Sequence, residues 1–496
     1  MLIDFPLGHS INGSPHSVCV SLPTMRDVVG YEEHDERVRG ALLAGYPRFI
    51  THPLIRDLVA CLRAADGLGT DERVFPVASP KAGAALLAYA GGGGVRRSLG
   101  VDFVVVKANE METAERARAF LQHTGVGLSS REAEGVLVRL GKRPKAFAEK
   151  RAAPESAGEV VRAHLHACYG TRSTEDIYLA RGGMNAFFGG FRALQKIQAA
   201  RGRNLWIQLG WLYVDTIRVL EKMTGTAPLV LDRVDDLDGL RSLLREQGQR
   251  VAGIVTEVPT NPLLHTADLA VLRDLADDCG CALILDPTIV SPHNVNVLPY
   301  ADLHINSLTK YACHEGDVMV GAAALNAASP FYAELKGQLE GELEAPSTAD
   351  LARLAHQIGG YSDFVETVNK ISLRVVDFLE SHPAVRQVWW ARQPGHAERF
   401  DRISHKAGGI GCVLSFAASR PLEAVYDRLR LAKSPSFGTV FSMACPFLYL
   451  AHYDLVTTAA GRTRLARAGI PHDLIRLSIG KEHPDEITGM LSEALK

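Results

Sequence analysis

From about residue 200 onward, short apolar runs alternate with amphipathic stretches: LWIQL near Leu205, VDTIRVLEKM, APLVL near Val230, LDGLRSLLREQ, VAGIVTEV, LAVLRDLADDC, CALILD, LHINS and VMVGAAAL. Runs bounded by Gly, Pro and Asp, with helical patterns of about ten or more residues between them, predict β-α-β units and a mostly parallel central sheet. After Pro330 the texture changes to a long helical region reaching about His382, a strand-like GIGCVLSFA, a helical LEAVYDRLR, a LIRLSIG strand and a PDEITGMLSEAL helix. This predicts a smaller C-terminal α/β domain. The first 165 residues are less regular, with a Pro- and Gly-rich opening, a helix from Pro53 to Ala65, a turn-rich AGGGG at Ala90 to Gly94, an apolar VDFVVVK run and a charged helical tract from Ser130 to about His166. Residues 1–165 therefore read as an extended N-terminal arm and insertion, 166–335 as a large α/β domain and 336–496 as the small one. Gly91 to Gly94 precede neither Lys-Ser/Thr nor a helix start, so they predict a flexible turn and not a phosphate loop.

At 496 residues and 53.8 kDa the chain exceeds one ordinary core. Its 54 Lys+Arg balance 56 Asp+Glu, which argues against nucleic acid as the main partner. The eight cysteines are scattered, and Cys279 with Cys281 does not make a zinc spacing, so reduced thiols and no metal site are expected. The opening MLIDFPLGHSINGSPHS lacks a basic and then apolar leader pattern, and no run of about 18 apolar residues occurs. A soluble, cytoplasmic protein with no membrane partner is the expectation.

The chemistry concentrates in TEVPTNP (Thr256 to Pro262), LILDP (Leu283 to Pro287) and INSLTKYACHEGDVMVG (Ile305 to Gly321). Each piece ends an apolar run, and in an open parallel sheet that edge is where ligands bind. Taken singly, the pieces are ordinary: SLTKY reads as an exposed strand end, Asp286 as a turn cap, Tyr213 as a core-edge tyrosine. Together they supply what a pyridoxal 5'-phosphate site requires. Lys310 is the candidate Schiff-base lysine, and Asp286 the carboxylate that keeps the ring nitrogen protonated. Gly183 and Met184, which open the helix in ARGGMNAFFGGF, offer backbone amides to the phosphate, with the Ser307 and Thr309 hydroxyls beside them. Tyr213 is the candidate stacking ring, and Asn261 the candidate partner of the ring hydroxyl.

PTNP, LDPT and SLTKY followed by GDVMVG resemble the Cys/Met-metabolism family of fold-type-I pyridoxal-phosphate enzymes, which includes cystathionine γ-synthase, cystathionine lyases and methionine γ-lyase. SPHSVCVSLPTMRDVVGYEE, AGYPRFITHPLI, LQHTGVGLSSREAE and DIYLARGGMNAFF are similar to the long fungal-type cystathionine γ-synthases. The resemblance implies the fold-type-I architecture, with Ser436 and Arg476 in the substrate-carboxylate segments. An arginine there offers a bidentate fork to a carboxylate. It also implies a Tyr-x-Arg arm, here Tyr46 and Arg48, that crosses to a neighbouring subunit and completes its phosphate site; Arg131 and Arg172 are rivals for that role. A homodimer or homotetramer acting on small amino-acid substrates follows. Asn306, Cys313-His314 and Phe441 depart from the family pattern around the pocket, and His314 with Glu315 reads as an ordinary loop pair. The leading implied reaction is γ-replacement on an O-acylhomoserine by a thiol such as cysteine (transsulfuration, in methionine biosynthesis), with Lys310 and Tyr213 moving protons. The alternatives are a cystathionine or methionine γ/β-lyase, a γ-substituting enzyme of secondary metabolism and, last, a non-catalytic regulatory protein.

Overall fold

The computed structural model describes residues 4–107 and 109–496, which build three sheets. The N-terminal sheet is antiparallel, β1 (Glu72–Val77), β2 (Gly94–Ser98) and β3 (Val101–Lys107), with β3 in the middle. VDFVVVK is apolar at consecutive positions because β3 is covered on both faces. Val104 and Val106 meet the helices Pro80–Ala90 and Met111–Thr124, while Phe103 and Val105 meet Pro53–Asp66 and Ser130–Arg139. The irregular first third thus contains a three-layer α/β/α module. β2 is exposed and basic, so it carries no apolar period to reveal it. The helical tract from Ser130 is also two helices, Ser130–Arg139 and Pro154–Tyr169. Gly141 in the left-handed region and Pro144 end the first, and Pro154 starts the second.

The central sheet holds β4 (Ile177–Ala180), β5 (Leu205–Leu209), β6 (Leu229–Leu231), β7 (Val251–Glu257), β8 (Ala282–Asp286), β9 (Leu303–Ser307) and β10 (Gly321–Leu325). Its order is β4-β10-β9-β8-β7-β5-β6. The run from β6 to β9 is parallel, and β10 is antiparallel to both neighbours. On one face the helix Gly183–Ala199 sets Phe187, Phe191, Leu194 and Ile197 against Trp206, Ile284 and Ile305. The opposite face joins the large core shared with the C-terminal part. That part is built on β11 (Val385–Trp389), β12 (Val413–Ala418), β13 (Ala432–Lys433), β14 (Met443–Cys445) and β15 (Ile475–Ser478), ordered β11-β12-β15-β14-β13. The LEAVYDRLR segment forms only the short helix Leu422–Tyr426. Among the described residues no helix is long and apolar enough to cross a membrane.

The N-terminal module is bolted to the central domain by buried charge. Arg131 donates to both oxygens of Glu149 at 2.8 and 2.7 Å, to Asp350 at 2.9 Å and to Asp317 at 3.2 Å. Asp317 also accepts from Arg353 at 3.0 Å and from Gln357 at 2.7 Å. Arg131 is therefore a structural cation and not a phosphate arginine. Arg172 is exposed, donating to the Tyr332 hydroxyl at 2.7 Å. Removing one member of a buried charge set leaves the others uncompensated, so Arg131→Ala is expected to destabilise the protein by about 3–5 kcal/mol. Urea unfolding of both proteins measures this, and a loss under about 1 kcal/mol, the range of a surface pair, would contradict it.

Candidate active site

Lys310 lies in the turn after β9, where its N–H donates to the Ser307 carbonyl at 3.3 Å and the Thr309 N–H to Val320 at 3.2 Å. Its Nζ donates to Tyr46 Oη at 2.7 Å and Ser436 Oγ at 3.1 Å. The ammonium also stands 5.1 Å from the Tyr46 ring centroid and 4.8 Å from that of Phe437. Two hydroxyls and two π faces hold it in the cleft.

The neighbouring strands β7 and β8 end side by side, with Glu257 and Asp286 as register partners. Burial pushes Asp286 up to about 6, opposed by its hydrogen bonds from Thr288. Burial, and then the Asp286 charge, lift Glu257 well above the usual carboxylate range. A cation arriving beside this pair is therefore favoured. Thr288 locks the position: its N–H donates to Asp286 at 2.9 Å, and its hydroxyl accepts from the Ser307 N–H at 3.0 Å and donates to Asn306 at 3.3 Å. Asn306 in turn donates to the Tyr169 hydroxyl at 2.8 Å. Glu257 accepts from the backbone N–H of Tyr213, fixing the start of the helix Val214–Lys222.

Beyond β4 the chain turns straight into the helix Gly183–Ala199, whose start has no side-chain cap. Such amides are ready to bind an anion. A Cβ on Gly183 would stand 2.6 Å from Ser307 Cβ, and one on Gly321 would stand 2.3 Å from the Gly182 oxygen. Only glycine permits that approach, which brings the helix start beside the Ser307 hydroxyl. Thr309 instead turns its hydroxyl to the Val320 carbonyl at 3.4 Å.

Arg48 is the arginine next to this end of the cleft. It donates to Tyr213 Oη at 2.6 Å, to the Gln122 carbonyl at 2.6 Å and to the Asp215 carboxylate. Asp215 also holds His123 Nδ1 at 2.8 Å, and Thr216 beside it touches Met184 Sδ at 3.8 Å. Burial raises the Tyr213 phenol above its ordinary range, while the Arg48 charge opposes that rise. Tyr46 and Arg48, expected as the arm that completes a neighbouring subunit's phosphate site, touch cleft residues of their own chain here.

At the other end of the cleft Arg476 is buried, and its hydrogen bonds go to neutral oxygens: Asn261 Oδ1 at 3.3 Å, the Ser436 carbonyl at 3.1 Å and the Pro435 carbonyl. A buried guanidinium held this way suits an incoming carboxylate. Asn261 thus sits on Arg476. Phe441 packs with Tyr46, Val18 and Cys19 on the wall above Lys310. Burial pushes the Cys19 thiol up to about 12, against the charge of Lys310 and the Ser436 and Ser434 hydroxyls. His314 lies outside this wall, stacked on Phe364 at 5.3 Å, and the Glu315 carboxylate pairs with Arg353.

Sequence reasoning missed Glu257, Asp215, Gln122 and Cys19. Glu257 had a signal, since it closes a buried strand as Asp286 does. The other three had none, because only long-range packing brings them to the cleft.

The donor set suits pyridoxal phosphate: uncapped amides with a hydroxyl for phosphate, a carboxylate lifted for want of a cation, and a free amine between them. Fold and site together define a fold-type-I pyridoxal-phosphate-dependent enzyme. The chain belongs to the Cys/Met metabolism PLP-dependent enzyme family, whose profile matches residues 168–496. It is 40% identical over 490 residues to L-2-amino-4-chloropent-4-enoate dechlorinase/desaturase of Streptantibioticus cattleyicolor, covering 98% of this chain and 97% of that protein. It is 33% identical over 329 residues to cystathionine gamma-synthase of Neurospora crassa, covering 65% of this chain and 52% of that protein. Cystathionine gamma synthase from Xanthomonas oryzae pv. oryzae shares the fold, with a TM-score of 0.56 and 24% identity over 67% of this chain and 83% of that chain.

Gly183→Ala is expected to weaken cofactor binding about tenfold or more, the consequence of an overpacking cost of about 1–3 kcal/mol at the Ser307 contact. Titration of the visible absorbance band checks this; unchanged affinity would show that the close approach is not needed. Cofactor affinity is also expected to fall as pH drops below about 6, where Asp286 takes up its proton and stops balancing a protonated ring nitrogen. The advantage of wild type over Asp286→Asn, measured by the same titration, shrinks through that range. An advantage constant from pH 5 to 8 would refute it.

Proposed function

We propose that the protein expels a leaving group from the γ-carbon of a small L-2-amino acid, by elimination and not by thiol replacement. The observation that carries this reading is the wall above Lys310, built from the N-terminal segment and the Phe437–Phe441 turn, in a chain similar over 98% of its length to a dechlorinase/desaturase. Phe437, Phe441 and the protonated thiol of Cys19 suit a short apolar side chain with a halide or similar leaving group. They offer little to a second, polar amino acid.

Pyridoxal phosphate supplies the electron sink that acidifies the carbons next to the amine. In this reading Lys310 would carry the cofactor, Asp286 would keep its ring nitrogen protonated, and Gly183, Met184, Ser307 and Arg48 would hold its phosphate. Tyr213 would stack on the ring, and Asn261 orients Arg476. Arg476 takes the substrate carboxylate in its fork. With its amine free, Lys310 Nζ, steered by Tyr46 and Ser436, would take the Cα proton and then a Cβ proton. The γ-substituent would then leave with its bonding electrons, and one of the two protons would be given back to carbon, so the net loss is HX and one more unsaturated bond remains.

The second reading, γ-replacement on an O-acylhomoserine by cysteine, is favoured by the likeness of the Neurospora crassa synthase to this chain. A homodimer or homotetramer in the cytoplasm fits either reading. Purified protein incubated with 2-amino-4-chloropent-4-enoate, and separately with O-acetyl- or O-succinylhomoserine with and without cysteine, decides between them. Chloride release without added thiol is the expected outcome. Cystathionine formation from the esters, with no chloride release, would transfer the assignment to the synthase, and inertness towards all of them would refute both.

A further inference from the structure

We infer, resting on the reading of Arg476 as the carboxylate seat, that Phe437 is a positioning residue whose ring ties the Lys310 amine and the Arg476 guanidinium to one fixed spacing. That spacing selects a 2-amino acid, which carries its amine and its carboxylate on a single carbon. The Lys310 ammonium stands 4.8 Å from the Phe437 ring centroid, and the Arg476 guanidinium carbon stands 5.3 Å from it. Both are within the range over which the face of an aromatic ring attracts a cation. Burial strengthens that attraction, and Phe437 is only 7% exposed.

Neither cation hydrogen-bonds a carboxylate among the described residues. Lys310 donates to the Tyr46 and Ser436 hydroxyls, and Arg476 to the Asn261 side chain and the Pro435 and Ser436 carbonyls. Two like charges in one cleft repel, and more strongly the less water lies between them. Aromatic faces offset part of that cost. Tyr46 serves Lys310 at 5.1 Å and Phe447 serves Arg476 at 4.9 Å, whereas Phe437 serves both. It is the ring through which the positions of the amine and the guanidinium are linked.

The residues on either side keep the ring in place. Ser436 accepts from Lys310 at its hydroxyl and from Arg476 at its carbonyl, each at 3.1 Å. Gly438 has a φ of +77°, and a Cβ there would stand 2.8 Å from the Tyr311 nitrogen, so glycine lets the turn press against the Lys310–Tyr311 backbone. Its N–H donates to Ser478 Oγ at 3.0 Å, on the same strand as Arg476. Tyr311 packs edge-on to Phe437 with centroids 6.2 Å apart. Its own hydroxyl is locked, donating to the Ile289 carbonyl at 2.7 Å and accepting from the Cys412 N–H at 2.9 Å. The ring is thus clamped from the lysine side and from the arginine side. An amine without a carboxylate uses only the first of these, and a 3-amino acid, with one more carbon between its charges, fits the pair poorly.

The test is a set of binding titrations on the protein loaded with pyridoxal phosphate, read from the shift of the visible band and not from turnover. Wild type, Phe437→Leu and Phe437→Tyr are each titrated with L-2-aminobutyrate, with 3-aminobutyrate and with propylamine, which lacks the carboxylate. Wild type is expected to prefer L-2-aminobutyrate over both other ligands. Phe437→Leu is expected to weaken L-2-aminobutyrate about tenfold, the change for losing one desolvated cation–π contact, while propylamine stays within about twofold of wild type. Phe437→Tyr, which keeps the ring, restores the preference. Phe437→Met fills similar space without a ring and is expected to behave as Phe437→Leu does, should the leucine protein not fold. A preference kept in full by either ringless variant overturns the inference, as does an equal loss for the amino acid and the amine, the mark of general damage to the cleft. L-2-Aminobutyrate has no leaving group, so these results are independent of which γ-reaction the protein performs. Wild type with no preference for the amino acid over the amine would instead refute the carboxylate seat at Arg476, and the inference with it.

Discussion

The position of the Lys310 loop depends on one buried carboxylate, Asp317, seven residues further along the chain. Asp317 gathers Arg131 from the N-terminal module and Arg353 and Gln357 from the helix region Thr348–Gln357. A buried ion set of this kind adds little net stability over an apolar core of the same shape. Losing any member, however, strands the others in a medium that cannot solvate them. The three parts of the molecule are therefore held in one arrangement. The turn carrying Lys310 lies between that ion set and the strand end at Ser307.

The chemistry of the cleft follows from what is left unbalanced inside it. Glu257 and Asp286 share the strand-end position; burial lifts both carboxyls and the Asp286 charge lifts Glu257 further, so a cation beside them is favoured. At the opposite end Arg476 is buried against neutral oxygens. Between them the Lys310 amine is held by Tyr46, Ser436 and Phe437. The cleft thus has one end favouring a cation, one favouring a carboxylate, and an uncapped helix start favouring a phosphate. These preferences precede any question of which side chain the substrate bears. The apolar wall of Cys19, Phe437 and Phe441 bears on that question, and it is the basis of the proposed elimination.

Much of the fold was legible because its signals are local. Buried strands of the central sheet appear as short apolar runs, their ends marked by Asp286 and Ser307, and the helix after Arg181 is announced by paired glycines. Pyridoxal-phosphate chemistry and the family followed from the same strand-end residues. β2 was not legible, since GVRRS is exposed and carries no apolar alternation, and so the module built on β3 read as an irregular insertion. Glu257 was overlooked beside PTNP although it has the same strand-end logic as Asp286.

The sequence by itself determined the class of fold, the cofactor and the family, because periodicity and strand-end chemistry are written over stretches of five to ten residues or so. Only the tertiary structure decided which arginine reaches Tyr213 and which one is buried as a structural cation. Those outcomes rest on contacts between residues as far apart as Tyr46 and Lys310 or Arg131 and Asp350. Pairings over such separations are set by how whole modules pack, and spacing along the chain does not encode them.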